Sequence, residues 1–253
     1  MAFKTFALLS SLATIASAQD TDTGFSPSGQ LAGPTIANPL GNPAFPGVTS
    51  SGGENWVGFL IDTFNQTRTF SYNFAFSGAT LDSSLAAPSS SNVVSVRNQI
   101  EQEFIPGLGQ KPASVPWTSE DSLFVIFDGI NDVLNIDGEP DQTTAQAPFF
   151  TLYTTLVNEL FDVVFIGVPA IDLTPFVQEQ GPNNPAEAKA SLELWNQNVQ
   201  AVASKLKTTQ SGVTTFFADM ETLFRNIVAD PESVGISSAA DLWFNTLHPG
   251  KVV

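Results

Sequence analysis

The sequence predicts an α/β domain of three layers, a parallel sheet enclosed by helices on both faces, and three observations carry that expectation. Strand-length apolar segments alternate with helix-length amphipathic ones along most of the chain. The strand segments lack polar alternation, the pattern of strands buried on both faces. A length of 253 residues at 42% hydrophobic content suits a single domain with one core.

The elements follow in order. Lys4 precedes an apolar run, residues 6–16, and Ala16-Ser17-Ala18 has the small-x-small form of a cleavage site. Residues 1–18 are therefore expected to be a signal peptide, with a buried strand or helix as the alternative, and residues 19–253 a single secreted, extracellular domain. The run is too short to span a bilayer. Residues 19–53 are rich in Gly, Pro, Ser, Thr and Asn and read as a long ordered loop. Trp56, Phe59, Leu60 and Phe64 recur at helical spacing. A strand is expected over 70–76, closed by Ser77-Gly78, then a helix over 93–105 and a strand over 122–127. A helix over 144–161, a strand over 163–168, a helix over 186–207 and a strand over 213–217 complete the alternation. Asn65-Gln66-Thr67 is an acceptor triplet for a glycan on Asn65, meaningful only in an exported chain.

Composition excludes several functions. Nine Lys and Arg against 25 Asp and Glu give a net charge of −16, which repels nucleic acid and anionic membrane alike. With no cysteine, disulfides, thiolate metal sites and a cysteine nucleophile are impossible. One histidine, His248, leaves no multi-histidine metal site.

Ligands of parallel sheets sit at the carboxyl ends of the strands, so the chemistry should follow each strand. After 122–127 comes Asp128-Gly129-Ile130-Asn131-Asp132, an amide and a carboxylate at that edge. A plain polar cap of the next helix is the competing explanation. Ser77-Gly78-Ala79-Thr80 offers a glycine that lets the backbone approach a ligand, or a tight turn only. Trp243-Phe244-Asn245-Thr246-Leu247-His248-Pro249 carries the sole imidazole, the ordinary general base near neutral pH. Trp56, Trp117, Trp195 and Trp243 are expected in the core, with Trp117 the exposed exception available to a sugar ring.

Together with Thr21-Asp22-Thr23-Gly24-Phe25 and Ser50-Ser51-Gly52-Gly53-Glu54-Asn55-Trp56, these fragments resemble the SGNH/GDSL hydrolases, and among them the fungal family-sixteen carbohydrate esterases. The resemblance implies a flavodoxin-like SGNH-type parallel sheet and an acetylesterase acting on acetylated sugars. It makes Gly78 N–H and the Asn131 amide the oxyanion hole and His248 the base. It also requires a first strand ending in Gly-Asp-Ser, whose serine attacks the acyl carbon. That block is missing. Counting back from Thr21, the serine position falls on Gln19, and no nucleophile is found; Ser77, Ser50 and Ser51 lack the required setting. Asn245 stands where the family commonly has the aspartate that orients the histidine, so Asp241 or a backbone carbonyl is a further candidate for that role. The helix that usually follows the histidine is absent as well, so the fold is expected without its first strand and its last helix.

The function expected is a secreted carboxylic ester hydrolase read from an incomplete gene model. The alternative is a noncatalytic secreted carbohydrate-binding pseudoenzyme, and a structural or storage role is the third reading. The implied partner is a small-molecule or oligosaccharide acetyl ester, with a monomeric chain, no metal, no cofactor, no nucleic acid and no membrane.

Overall fold

The computed structural model describes residues 4–8, 33–39, 55–64, 68–118, 120–158, 160, 162–181 and 184–250. The expected α/β architecture is present. Strand β1 (Lys4–Leu8) pairs in parallel with β2 (Thr69–Asn73), Lys4 opposite Thr69 and Leu8 opposite Asn73. Strands β3 (Phe124–Phe127), β4 (Val163–Ile166) and β5 (Thr215–Ala218) form a second parallel set in that order. Because β1 also lies against β3, the strands run 2-1-3-4-5 in space.

Helix α1 (Trp56–Gly58) continues in wider π turns through Phe59–Thr63 and is capped by Asn55, whose Oδ1 accepts from Val57 N and Gly58 N. Helix α2 (Val96–Asn98) starts at a Ser95 cap and widens likewise through Gln99–Phe104. Helices α3 (Ile130–Ile136) and α4 (Gln142–Val157) follow β3, and α5 (Pro175–Gln178) and α6 (Asn184–Thr209) follow β4. One face of the sheet carries α2, α4 and α6. Phe124 meets Phe104 of α2 edge-on at 5.4 Å, Phe165 meets Tyr153 of α4 at 6.0 Å, and Thr215 Oγ1 donates to Ala203 O of α6. These contacts bury β3 completely, as its FVIF sequence demands. The opposite face is thinner over β4 and β5, where Val164 and Ile166 are half-buried and Phe216 is 56% exposed.

Several boundaries differ from the expectation for local reasons. The strand expected over 70–76 stops at Asn73, whose side chain accepts from Ala75 N at 2.9 Å and turns the chain. Helix α7 (Met220–Ala229) was not expected at all. Asp219 caps it by accepting from Thr222 N, and Phe224 and Ile227 are its buried face. Trp117, expected to be exposed, is 3% exposed, with Lys111 Nζ over its ring at 4.5 Å and its Nε1 donating to Leu108 O. Trp195 is fully buried, and Trp56 and Trp243 pack against the core.

The expected missing first strand is the largest difference. The position between β2 and β3 is filled by Lys4–Leu8, from the segment expected to be an export signal. The physical reason is that an empty slot leaves the backbone N–H and C=O groups of two buried strands without partners. A short apolar segment free of Gly and Pro satisfies them. Gln19, Ser50, Ser51 and Asn65 lie outside the described residues.

Removing residues 1–18 from the chain reopens that slot. At about 1 kcal/mol net per lost strand hydrogen bond, the five paired residues of β1 correspond to a loss of about 5 kcal/mol, read as a fall in the urea midpoint. An unchanged midpoint refutes the role of Lys4–Leu8 as a sheet strand.

Candidate active site

The first turn of α3 faces the segment that follows β2. Asn131 Nδ2 donates to Ala79 O at 2.7 Å, and Asp132 Oδ1 accepts from Leu81 N at 2.9 Å. Both bonds span more than fifty residues of sequence, so they join the loop after one strand to the loop after another. The amide and glycine expected to act together are thus brought together. Asn131 uses one amide hydrogen on Ala79 O and keeps the second for a ligand.

Glycine geometry makes this approach possible. Gly78 has φ +75°, and a Cβ there would collide with Ser89 Oγ and Cβ; its carbonyl accepts from Ser89 N at 3.0 Å. Its own N–H donates to none of the described residues. Gly129 has φ +115° and caps α3, and a Cβ there would press into the Trp195 indole, 2.5 Å from Cε2. Side chains are excluded from both loops by the same walls that shape them.

Asp132, the carboxylate expected at the chemical edge, is 0% exposed. Burial first, and then the charge of Asp128, push its carboxyl well above the usual carboxylate range. Burial and the neighbouring carboxylate both act against ionising the two groups together, which favours one shared proton. The Tyr153 phenol beside them is likewise raised, by burial and then by the two aspartates. Asp132 therefore positions the loop and does not face substrate.

His248 stands in a tight turn near the chain's end. Trp243 and Pro249 form an antiparallel bridge, Phe244 N donates to His248 O at 2.8 Å, and Gly250 N donates to Leu242 O at 2.8 Å. Phe176 N of α5 donates to Thr246 O at 2.7 Å, which ties this turn to the segment after β4. That segment is itself anchored. Arg225 of α7 forks onto Asp172 at 2.9 and 3.0 Å and bonds Glu221 at 3.0 Å, while Asn196 of α6 grips Val168 through both its amide atoms. Sequence reasoning missed this anchor, although a search after β4 as well as β2 and β3 finds Asp172 six residues past Ile166.

Asn245, not Asp241, orients the imidazole: its Oδ1 lies 2.9 Å from His248 Nδ1, whereas Asp241 accepts from Ser238 Oγ. His248 is 8% exposed and burial pushes it down to about 4, so the ring is neutral at ordinary pH. Its Nε2 is buried and has no hydrogen-bond partner among the described residues. No hydrogen bond joins His248 to Gly78 or Asn131 among the described residues. Two peptide-like donors and a neutral imidazole with a free ring nitrogen suit acyl transfer. Among the described residues no group of three or more His, Asp or Glu side chains could hold a metal ion, and no helix is long and apolar enough to cross a membrane.

No family model matches the chain. It is 33% identical over 244 residues to an acetylesterase of Thermothelomyces thermophilus, spanning 91% of this chain and 80% of that one. Among solved structures it resembles a mutant of an acetyl-xylooligosaccharide esterase from Geobacillus with a TM-score of 0.53 at 14% identity, covering 98% of this chain and 87% of that one. The second likeness is one of fold.

Two substitutions check the site's supports. Gly129→Ala combines a left-handed φ with a clash into Trp195, and should cost about 3 kcal/mol or more in chemical unfolding. Asp132→Asn keeps an oxygen for Leu81 N and can donate to Asp128. Because the folded carboxyl is raised, its stabilisation is full below the unfolded value of 3.8 and is lost as pH rises toward the folded value. Urea unfolding at about pH 4 and about pH 7 should therefore show a smaller decline in the variant than in the parent. An equal decline contradicts the shared proton.

Proposed function

The chain belongs to the acetylesterase family, and from that premise we propose that it derives from a secreted SGNH/GDSL-type ester hydrolase that removes acetyl groups from carbohydrates. The observation that carries the reading is the bond from Asn131 Nδ2 to Ala79 O. It sets an amide hydrogen beside the N–H of Gly78, neither of them bonded to a described residue, as two donors for one developing oxyanion.

In the complete reaction a serine Oγ attacks the acetyl carbon while His248 Nε2 takes its proton. The carbonyl oxygen becomes negative and is held by Gly78 N–H and the Asn131 amide. Collapse breaks the ester bond, His248 returns the proton to the sugar oxygen, and an acetyl-serine remains. Water, giving its proton to the same Nε2, then releases acetate and restores the serine.

No Gly-Asp-Ser triplet exists in the sequence. We therefore read the sequence as an incomplete gene model in which a leader, residues 1–18, is joined past the strand that carries the nucleophile. On this reading Lys4–Leu8 occupies a slot that belongs to that strand. Ser10 and Ser11 follow Leu8 but lack the preceding Gly-Asp pair.

Sequencing the transcript upstream of Asp20 tests the reading directly. A strand-coding stretch ending in Gly-Asp-Ser is the expected result. A transcript identical to this sequence sinks it and leaves the noncatalytic carbohydrate-binding alternative, to be checked by titration with acetylated xylooligosaccharides. Protein made from the present sequence should release acetate no faster than buffer and take no label from a fluorophosphonate. Labelling mapped to Ser10, Ser11, Ser50, Ser51 or Ser77 overturns the missing-nucleophile reading.

A further inference from the structure

We propose that Asn245 is a positioning residue that locks His248 in the Nδ1–H tautomer through an uncharged oxygen, leaving Nε2 bare as the base. The proposal rests on the esterase reading for its purpose, but the geometry that supports it stands apart from any turnover.

Two backbone N–H groups, of Leu247 at 2.9 Å and of His248 at 2.8 Å, converge on one side-chain atom of Asn245. That atom must be the amide oxygen, because the amide nitrogen only donates. The same oxygen lies 2.9 Å from His248 Nδ1. An oxygen of this kind only accepts, so Nδ1 carries the proton, and the neutral ring is left with its lone pair on Nε2. That nitrogen is buried and unpartnered among the described residues, as suits a base awaiting a substrate proton.

An asparagine in the place of an orienting aspartate is ordinarily harmful because its amide turns its NH2 toward the ring and imposes the wrong tautomer. Here the turn is barred. Rotating Asn245 by half a circle sets an NH2 against the Leu247 and His248 N–H groups and forfeits both backbone bonds. The backbone of the turn selects the useful face of the amide, and the amide selects the useful tautomer of the ring.

The elements around the turn supply no charge in its stead. Helix α5 has no titratable side chain, Asp172 before it is forked by Arg225, and Glu221 of α7 is bonded to the same Arg225. Asp219 caps α7, and Asp241 accepts from Ser238. Burial is the only influence that moves His248 from its ordinary value, and it moves it down, to about 4. The base thus stays unprotonated into the acid range, while nothing nearby stabilises the imidazolium.

Because the chain has a single histidine, ring titration by two-bond 1H–15N correlation needs no assignment. The parent protein should show the Nδ1–H tautomer and a protonation midpoint near 4. Asn245→Asp keeps the shape and adds a carboxylate to Nδ1, so the midpoint should rise by about one to three units. Asn245→Ala should lose the tautomer preference and show Nε2–H as well. An Nε2–H tautomer in the parent, or an unmoved midpoint in Asn245→Asp, overturns the proposal. Should Asn245→Ala fail to fold, the Asn245→Asp shift decides alone. Absence of acetate release bears on the esterase reading only.

Discussion

Two hydrogen bonds hold the site in register with the fold: Asn131 to Ala79 O and Asp132 to Leu81 N. Both join loops that hang from different strands. Breaking either strands a buried polar group, at about 1–3 kcal/mol each, so the clasp is enforced by desolvation as much as by attraction. The same segment is braced from its far side, where Val96 N and Arg97 N of α2 donate to Thr80 O and Leu81 O. A loop gripped from both sides has little freedom to drift, which preorganised donors need. Gly78 opens this segment and Gly129 opens α3 across from it, both where no side chain fits.

Neutral groups dominate the neighbourhood of the chemistry, against the −16 of the whole chain. Burial and then the charge of Asp128 raise the Asp132 carboxyl, and burial lowers His248 to about 4. The Asn245 oxygen replaces a charge with a dipole. Charged partners are kept one layer back, as in the Arg225 fork on Asp172, where they brace the loops. This division lets an oxyanion be the dominant charge when it forms, and a lone developing charge gains most from fixed dipoles in a dry site.

Much of this arrangement is legible in the residues. Segments such as FVIF and VVFI announce buried parallel strands, and the glycine–amide pair sits at strand ends where ligands are expected, whereas the histidine lies in a turn beyond α7. The illegible parts depend on distant partners. Asp132 reads as a carboxylate at the ligand edge until Leu81 N and Asp128 are seen beside it, and Trp117 reads as a surface aromatic until Lys111 covers it. Helix α7 carried a readable cap in Asp219 and escaped because it follows β5 so closely. The role of Asn245 was half legible. Its position was visible, but which of its two atoms faces the ring depends on the direction of two backbone N–H groups.

The strand order links the sheet's completeness to the site's completeness. Gly78 follows β2 and Asn131 follows β3, so the two proposed oxyanion donors flank whatever strand lies between them. A group that attacks an acyl carbon must sit within bonding reach of that carbon while both donors reach its oxygen. The end of the intervening strand is the one strand end adjacent to both. An attacking group at that strand end and the strand itself thus go together, and dropping the strand removes both while opening the slot that joins the two halves of the sheet. In this structure Lys4–Leu8 supplies the backbone pairing of that slot, which needs only a short extended segment beside β2.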